Sequence, residues 1–281
     1  SAACSLKMLQ PCSYIRLIDE FKDWAGMGPE TTWGRARGMG SYAGNEFSVL
    51  IRLVDSVHGP AMTAHLLDTS VAELPIDALG MPASIWGLIE PLLDVERGGL
   101  LIFAGTSGSG KTVSLYTSMN LLDLDRCNVV TVEDPVELLR PGVTQIEVDA
   151  PKLGVSDAFT LARNMDHDVL MVGELRPDTV RMVLRSYYDG CLTLTSAPSR
   201  SALATLMYLD SYSQVGIREL IYPMVIVSQN LMRGLCQECK VPVSLSTSDN
   251  EFVERVLSES GRDWSAIGDS FHEATGCRQC D

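Results

Sequence analysis

The chain has 281 residues, 46% of them hydrophobic, and this length allows two domains and a small third. Its net charge of −14 argues against a protein that follows a nucleic-acid backbone, because such binding depends on Lys and Arg. No apolar run of about 18 residues occurs, so we expect no membrane span. The chain starts Ser-Ala-Ala-Cys, without an initiator Met or a signal peptide, which indicates a processed or recombinant fragment of a longer protein.

The first third of the chain predicts a small α/β domain over residues 1–92. A helical pattern gives way to a glycine-rich stretch, and two runs with strand character then meet across His58-Gly59. The predicted elements are a helix over 15–24, a turn-prone stretch over 26–44, strands over 47–54 and 61–67, and a helix over 76–93 that breaks near Pro82. A linker is expected over 96–99.

From residue 100 onward, apolar runs alternate with helical patterns. We predict strands over 100–104, 128–132, 169–172 and 192–195, and helices over 113–122, 157–164 and 179–188. Apolar strands that alternate with helices indicate a mainly parallel sheet covered on both faces, whose ligands bind at the carboxyl ends of the strands. After the last strand we expect helix to about residue 235, and later a short amphipathic helix over 250–260.

Residues 105–112 match the phosphate-binding pattern G-x-x-x-x-G-K-[ST] between a predicted strand and a predicted helix. Glycines let backbone N–H groups turn inward, and the helix N-terminus adds positive potential at the same place. We expect Lys111 to reach the terminal phosphates of ATP and Thr112 to bind Mg²⁺; a glycine-rich turn before an ordinary helix is the alternative. The predicted nucleotide-binding residues are Gly105, Thr106, Ser107, Gly108, Ser109, Gly110, Lys111, Thr112 and Val113.

Carboxylates follow two other predicted strands. Phosphoryl transfer to water requires groups that hold Mg²⁺ and orient the attacking water. Glu174 is the first candidate for magnesium and water, Glu133 is the candidate general base, and Lys111 completes the predicted catalytic set. In the alternative interpretation, one of these acids caps a helix or faces solvent. Asp134 precedes Pro135 and is predicted to be structural.

Four of the eight cysteines form two C-x-x-C pairs, Cys236/Cys239 and Cys277/Cys280, with 37 residues between the pairs. Each pair can present two thiolates from one tight turn, and two such turns complete a tetrahedral Zn²⁺ site. Because all four ligands are thiolates, we expect this zinc to be structural. Disulfide bonds are the alternative, which a reducing compartment disfavours.

Three further segments, taken together with the phosphate loop, resemble one family. They are Thr-Val-Glu-Asp-Pro-Val-Glu over 131–137, Asp-His-Asp-Val-Leu-Met-Val-Gly-Glu-Leu-Arg over 166–176, and Gln-Asn-Leu-Met-Arg-Gly-Leu-Cys-Gln-Glu-Cys over 229–239. In this order they resemble the aspartate box, the Walker B region and the approach to the tetracysteine module of the secretion ATPase superfamily. The resemblance is to its type II secretion and type IV pilus assembly ATPases, and the cysteine pairs favour this assembly class over pilus-retraction motors.

The resemblance implies a fold, an activity and partners. Residues 1–92 correspond to a PAS-like N-terminal domain, residues 98–235 to a RecA-like ATPase domain, and residues 236–281 to a tetracysteine metal-binding module. The implied activity is ATP hydrolysis with Mg²⁺ that powers assembly of a type IV pilus or a type II secretion pseudopilus. A homo-hexamer on the cytoplasmic side of the inner membrane is implied, together with a membrane platform protein and a membrane-docking partner, but no nucleic acid.

The sequence departs from the family pattern where the γ-phosphate is sensed. Pro198 stands near the place where the family's histidine box has a His, and arginines of the family's first domain are replaced. Arg52 and Arg176 are the candidate arginine sensors. Arg52 is a candidate because it lies on the same strand face as one of the replaced arginines, for which it could substitute. The alternative function is therefore a catalytically weakened nucleotide-binding scaffold or regulatory subunit. A nucleic-acid translocase is the third hypothesis, and the acidic composition weighs against it.

Overall fold

The computed structural model describes residues 11–24, 26–28, 31, 33–42, 44–70, 74–149, 152–213, 222–232, 234–259, 264 and 271–278. The chain forms two compact units, Ser1–Asn230 and Leu231–Asp281. Cys280, the fourth predicted zinc ligand, lies outside the described residues. None of the helices within these ranges has the length and apolar character that crossing a membrane requires.

The first described elements of this unit are a helix and a three-stranded antiparallel sheet. These elements are α1 (Pro11–Trp24), β1 (Gly34–Tyr42), β2 (Asn45–Ser56) and β3 (Gly59–Asp68). β2 is the central strand, and it pairs with β3 across the turn predicted at His58-Gly59. Val49, Ile51 and Leu53 of β2 are buried on one face, because alternate residues of a strand point the same way.

The predicted turn-prone stretch over 26–44 is wrong in its second half, which forms β1. The glycines that suggested a turn have a packing role instead. A Cβ atom on Gly38 would lie 2.3 Å from the ring of Trp24, so glycine is what lets α1 approach this strand. β1 pairs with β2 along its whole length, so the backbone groups of β1 that face β2 take part in the ladder.

Residues 76–97 form one short helix between 3-10 turns. The helix is α2 (Ala83–Ile89), and the turns are Ile76–Leu79, Glu90–Leu93 and Val95–Arg97. Pro82 immediately precedes α2, so the predicted break at this proline is confirmed. Proline has no backbone N–H to donate, and it is therefore tolerated only at the start of a helix.

A six-stranded parallel sheet makes up the rest of the first unit. Its strands are β4 (Gly99–Ala104), β5 (Val129–Glu133), β6 (Thr144–Glu147), β7 (Val169–Val172), β8 (Leu192–Ala197) and β9 (Met224–Ser228), and its helices are α3 (Lys111–Met119), α4 (Val155–Arg163), α5 (Val180–Tyr188) and α6 (Ala202–Tyr212). The strand order is β6-β5-β7-β8-β4-β9, and every neighbouring pair is parallel. The predicted parallel sheet is therefore confirmed.

Two strands of this sheet were not predicted. The expectation of helix up to residue 235 is wrong, because β9 pairs with β4 along the other edge from β8. β9 reads Met-Val-Ile-Val-Ser, whose β-branched residues favour a strand, but so short a run has no usable periodicity. β6 is a four-residue edge strand in which no residue is fully buried, so it lacks the apolar run that marks the other strands.

Apolar side chains cover both faces of the parallel sheet. Leu101 and Phe103 of β4 pack in one buried cluster with Leu115 of α3. Ile102, between them, packs in the cluster on the opposite face with Val183 of α5. Because helices cover both faces, every residue of β4 is buried, and only the ends of the strands are left to form a site.

The second unit contains β10 (Lys240–Val243), α7 (Thr247–Glu259) and β11 (Phe271–Ala274). β10 and β11 pair antiparallel as a two-stranded sheet. The predicted helix over 250–260 is confirmed over its described residues, 250–259, although it starts three residues earlier. The reason is a cap: the hydroxyl of Ser246 accepts a hydrogen bond of 3.2 Å from the backbone N–H of Asp249.

Candidate nucleotide site and cysteine cluster

The predicted phosphate loop joins the end of β4 to the start of α3, which begins at Lys111. Gly108 and Gly110 have φ values of 75° and 83°, a left-handed conformation that glycine adopts without strain. At Gly105 the constraint is space, because a Cβ atom would lie 2.2 Å from the hydroxyl oxygen of Ser109 and 2.6 Å from the carbonyl oxygen of Gln229. The three glycines therefore allow a tight backbone curl that larger residues would prevent.

Lys111 folds back over this loop. Its ammonium group donates to the carbonyl oxygens of Gly105 and Thr106, at 3.0 and 3.1 Å. The hydroxyl of Ser109 is buried, and it has no hydrogen-bond partner among the described residues. A lysine, an unpaired hydroxyl and the N-terminus of α3 thus meet at one curled segment, and this donor set fits a phosphate group.

Glu133 ends β5 and is 4% exposed. Its carboxylate accepts hydrogen bonds from the hydroxyls of Tyr116, at 2.8 Å, and Thr131, at 2.6 Å. Burial raises the pKa of Glu133 to about 7, although the bonds from Thr131, Tyr116 and Gln145 oppose the shift. Sequence reasoning missed Tyr116, which ties the helix that follows the phosphate loop to this acid.

Glu174 follows β7 and is exposed. Its backbone carbonyl accepts a hydrogen bond of 2.7 Å from the hydroxyl of Thr179, which fixes the turn into α5. Gly173, just before it, lies beside Glu133, since a Cβ there would be 3.6 Å from the Cα of that residue. The structure therefore brings the carboxyl ends of β5 and β7 together, with β8 between β7 and the loop strand β4.

Asp134 holds two arginines from different parts of the first unit. Arg35 of β1 donates to one carboxylate oxygen at 2.5 Å, and Arg176 donates to the other at 3.1 Å. Burial alone would raise the pKa of Asp134, but the hydrogen bonds from these arginines lower it below its ordinary value. The sequence named Arg176 as a candidate sensor, whereas the contact of Arg35 with Asp134 was not foreseen.

A second arginine of β1 makes the same kind of bridge. Arg37 donates to the carbonyl oxygen of Val136 and to the carboxylate of Glu147. Arg52, the other candidate sensor, pairs directly with Arg35 across the β1–β2 ladder but is exposed, and no ion pair reaches it among the described residues. The arginines that contact the segment after β5 are therefore Arg35 and Arg37, rather than Arg52.

Pro198 is exposed just beyond β8, where the family resemblance expected a histidine. Ser196, two residues earlier, donates a hydrogen bond of 2.7 Å to the carbonyl oxygen of Gly173. Pro198 also lines a cavity of about 400 Å³ together with Arg176, Pro177 and Tyr208. Pro198 offers no side-chain hydrogen-bond donor at this position.

The second unit brings three cysteines together. The sulfur atoms of Cys236, Cys239 and Cys277 all lie within 4.8 Å of one another. Hydrogen bonds from the backbone N–H groups of Glu238 and Cys239 lower the pKa of Cys236 to about 7, which favours the thiolate that binds metal. Three converging thiols fit the soft ligand set that Zn²⁺ prefers.

Comparison with known proteins identifies relatives of this arrangement. The family described as type II/IV secretion system protein matches residues 42–281. The chain is 33% identical over 236 residues to the type IV pilus assembly ATPase PilB of Acinetobacter baylyi, covering 82% of this chain and 39% of that protein. It is 28% identical over 243 residues to the type II secretion system protein E of Dickeya dadantii, covering 84% and 46%. The chain therefore spans less than half the length of these relatives.

Solved structures share the α/β fold with its parallel sheet. The pilus retraction motor PilT with bound ADP has a TM-score of 0.55 at 19% identity, covering 81% of this chain and 69% of that one. The ATPase DotB of Yersinia pseudotuberculosis has a TM-score of 0.56 at 16% identity, covering 88% and 72%. Because the family match extends over residues 42–281, this chain belongs to the type II/IV secretion system protein family.

Proposed function

We propose that this chain is an ATPase motor that hydrolyses ATP to power assembly of a type IV pilus or a type II secretion pseudopilus. One observation carries the proposal: a glycine loop presents Lys111 at the head of α3, and acids stand at the ends of two other strands of the same parallel sheet. Relatives named type IV pilus assembly ATPase and type II secretion system protein E support it.

The finer architecture belongs to the same proposal. Residues 98–235 form a RecA-like ATPase domain, residues 1–92 a PAS-like domain, and residues 236–281 a tetracysteine module. The helix-covered parallel sheet supports the first assignment, and the antiparallel sheet of β1, β2 and β3 is compatible with the second. The motor acts as a homo-hexamer at the cytoplasmic side of the inner membrane, with a membrane platform protein and a docking partner. The charge of −14 supports a motor that does not track nucleic acid.

Each predicted site residue has a role in this mechanism. Residues 105–113 hold the phosphates of ATP through backbone N–H groups, and Lys111 neutralises the charge on the terminal phosphates. Thr112 and Glu174 supply oxygen ligands, the type that Mg²⁺ prefers. Glu174 also orients the attacking water, which can reach its side chain because Glu174 is exposed to solvent. Glu133 accepts the proton, and a pKa near 7 is favourable for a general base.

Arginines complete the neutralisation of the negative charge on the phosphates of ATP. Arg176 is the better supported of the two candidate sensors, because it already lies beside Asp134 at the carboxyl end of the sheet. Arg52 is exposed on the three-stranded sheet and requires a larger movement to reach phosphate. An arginine that approaches the γ-phosphate stabilises the charge that develops in the transition state.

Hydrolysis assays test the proposal directly. We expect Mg²⁺-dependent ATP turnover that Lys111→Ala abolishes and that Glu174→Gln lowers by at least about 100-fold, a loss expected when a group that acts in the transition state is removed. The exposed residues Lys152 and Glu251 provide the matched controls, Lys152→Ala and Glu251→Gln, which should keep wild-type turnover. Unchanged activity in both site variants would reject the motor.

A weakened nucleotide-binding scaffold is the second candidate, and Pro198 in place of a histidine favours it. It requires tight binding of ATP with negligible turnover, even when the platform protein is added. Measuring turnover for both the monomer and an enforced hexamer separates the two functions. Turnover only in the hexamer would support the motor, and none in either form would support the scaffold.

We propose further that the second unit holds a structural zinc ion through Cys236, Cys239, Cys277 and Cys280. The three described thiols support this ligand set, and a fourth thiolate would leave no open position for catalysis. Elemental analysis of protein purified without added metal should find one zinc per chain. Its absence would reject the zinc site and would leave the ATPase proposal intact.

A further inference from the structure

Gln229 lies directly after β9 and contacts the phosphate loop with both its backbone and its side chain. Its backbone N–H donates to the carbonyl of Ala104 at 2.8 Å, where the loop begins. Its side-chain NH₂ group donates to the carbonyl of Ser109 at 2.8 Å, near the end of the loop. Its side-chain oxygen accepts a bond of 2.9 Å from the hydroxyl of Ser114, in the first turns of α3. One residue thus spans the loop from its start to the helix that follows.

Hydrogen bonds at both ends of the Gln229 side-chain amide fix its orientation. A carbonyl can only accept a hydrogen bond, so the NH₂ end of Gln229 faces Ser109 and the oxygen faces the hydroxyl of Ser114. The side chain is partly buried, and Ser114 is 3% exposed. In such surroundings, an amide that lost either partner would leave a buried polar group unsatisfied.

The contact with Ser109 has a consequence for phosphate binding. The carbonyl of Ser109 and the N–H of Gly110 belong to one trans peptide unit, in which the two groups point in opposite directions. Holding the carbonyl toward Gln229 therefore aims the N–H of Gly110 away from Gln229. Phosphate loops bind oxygens through N–H groups that point into the curl of the loop, and this N–H adjoins Lys111.

We infer that Gln229 is a positioning residue for nucleotide binding: its amide holds the Ser109–Gly110 peptide so that the loop keeps its N–H groups ready for phosphate. This inference rests on the proposed function of the loop. Gln229 itself does not touch the nucleotide, and it acts through Ser109 and Ser114. A residue that only joined β9 to the sheet would affect stability but would leave nucleotide affinity unchanged.

The test compares Gln229→Leu with Asn230→Leu, the same replacement at the neighbouring exposed amide. Binding of a fluorescent ATP analogue with Mg²⁺ gives Kd, and steady-state hydrolysis gives KM and kcat. We expect Gln229→Leu to raise Kd and KM by about five- to tenfold, since it removes two hydrogen bonds that act on the loop, while kcat changes by less than about twofold. Asn230→Leu should match the wild type in all three.

Ser114 provides an independent arm. Ser114→Ala should raise Kd by about threefold, because only one of the two side-chain bonds is lost. Adding Ser114→Ala to Gln229→Leu should then raise Kd no further, since both changes break the same connection. Additive effects of the two changes would show that Gln229 and Ser114 act separately and would overturn the inference.

Controls separate the possible failures. Thermal unfolding of each variant reports on folding, and Gln229→Glu, which keeps the size and the acceptor for Ser114, replaces Gln229→Leu if the latter does not fold. A wild type that binds no ATP analogue rejects the proposed function, and the inference with it. A wild type that binds, beside a folded Gln229 variant with unchanged Kd, rejects the inference alone.

Discussion

Single residues around the phosphate loop are restricted by the atoms that they touch. Glu133 is held by the hydroxyls of Tyr116 and Thr131, so its carboxylate has a set position but a raised pKa. Gly105 faces a side-chain oxygen of Ser109 and a backbone oxygen of Gln229 at distances that exclude any Cβ atom. Both restrictions come from contacts of single atoms, so point substitutions can test them.

We predict that Glu133→Gln changes how stability depends on pH. Burial raises the pKa of Glu133 from its ordinary value of 4.5 to about 7, so the folded chain binds this proton more tightly than the unfolded chain. The stabilisation from this group is present below the unfolded pKa and is lost as pH rises through 7, whereas glutamine does not titrate. Between pH 5 and pH 8, the free energy of unfolding should fall by roughly 2 kcal/mol more in the wild type than in the variant.

Urea unfolding at the two pH values measures this difference. Glu96→Gln removes an exposed carboxylate and serves as the control, for which we expect the wild-type pH dependence. If Glu133→Gln and the wild type lost the same stability between the two pH values, Glu133 would not be the buried acid that the contacts describe.

Gly105→Ala should both destabilise the chain and abolish ATP binding. The added methyl group has to displace a backbone carbonyl, and overpacking of this kind costs about 1–3 kcal/mol. The control is Gly87→Ala in α2, where a Cβ meets no atom within 4 Å. That change should stabilise the chain by about 0.5–1 kcal/mol, because alanine loses less backbone entropy in a helix. Thermal unfolding and ATP-analogue binding measure both variants, and wild-type affinity in Gly105→Ala would contradict this account of the loop.

At the scale of elements, β1 connects the three-stranded sheet to the parallel sheet. Arg35 and Arg37 alternate along β1 with a residue between them, so both side chains leave the same face of the strand. Arg35 reaches Asp134 and Arg37 reaches Glu147, at the ends of β5 and β6. This face of β1 therefore makes charged contacts with the carboxyl ends of two strands in the candidate nucleotide site.

Arg37→Ala should lower the free energy of unfolding by about 1–3 kcal/mol, since it leaves a half-buried carboxylate and a carbonyl without their charged donor. Arg52→Ala removes an exposed arginine from the same sheet, and its effect should stay within about 0.5 kcal/mol. Urea unfolding of the two variants at neutral pH is the measurement. Equal stabilities would show that the contact between β1 and the segment after β5 contributes nothing to the fold.

At the scale of the whole molecule, the chain combines a large unit that has a two-faced core with a small unit whose described core is slight. Leu257 and Cys239 are the buried apolar residues of the second unit among those described, whereas the first unit buries two clusters. Small units of this kind commonly depend on metal for their stability, because they bury too little apolar surface. In the second unit, the thiols of the cysteine cluster are the proposed ligands of such a metal.

We therefore expect removal of the proposed zinc to unfold the second unit first. A strong chelator, or Cys277→Ser, should abolish protection from hydrogen exchange in β10, α7 and β11, while the six-stranded sheet keeps its protection. Cys127→Ser, at a free cysteine outside the cluster, is the matched control and should leave both patterns unchanged. Protection that survives chelation throughout the second unit would show that metal does not hold it together.

The features that the sequence by itself determined are local ones. Each of them is encoded in a few consecutive residues: the glycine spacing of residues 105–112, the apolar runs of β4, β5, β7 and β8, and the Cys-x-x-Cys pairs. The structure places the loop and these strands as expected. Where the local signal was weak or had two meanings, as in the glycines of β1 and the short run of β9, the prediction was wrong.

Only the tertiary structure decided which distant residues contact one another around the candidate nucleotide site. Gln229 and Ser114 are 115 positions apart, and Arg35 and Asp134 are 99 apart, so no local pattern records that they meet. The carboxylate of Glu133 likewise accepts hydrogen bonds from Tyr116 and Gln145, which come from other elements. Periodicity and turn chemistry act within one element, whereas pKa values and loop geometry depend on how elements pack, and packing is established only when the whole chain has folded.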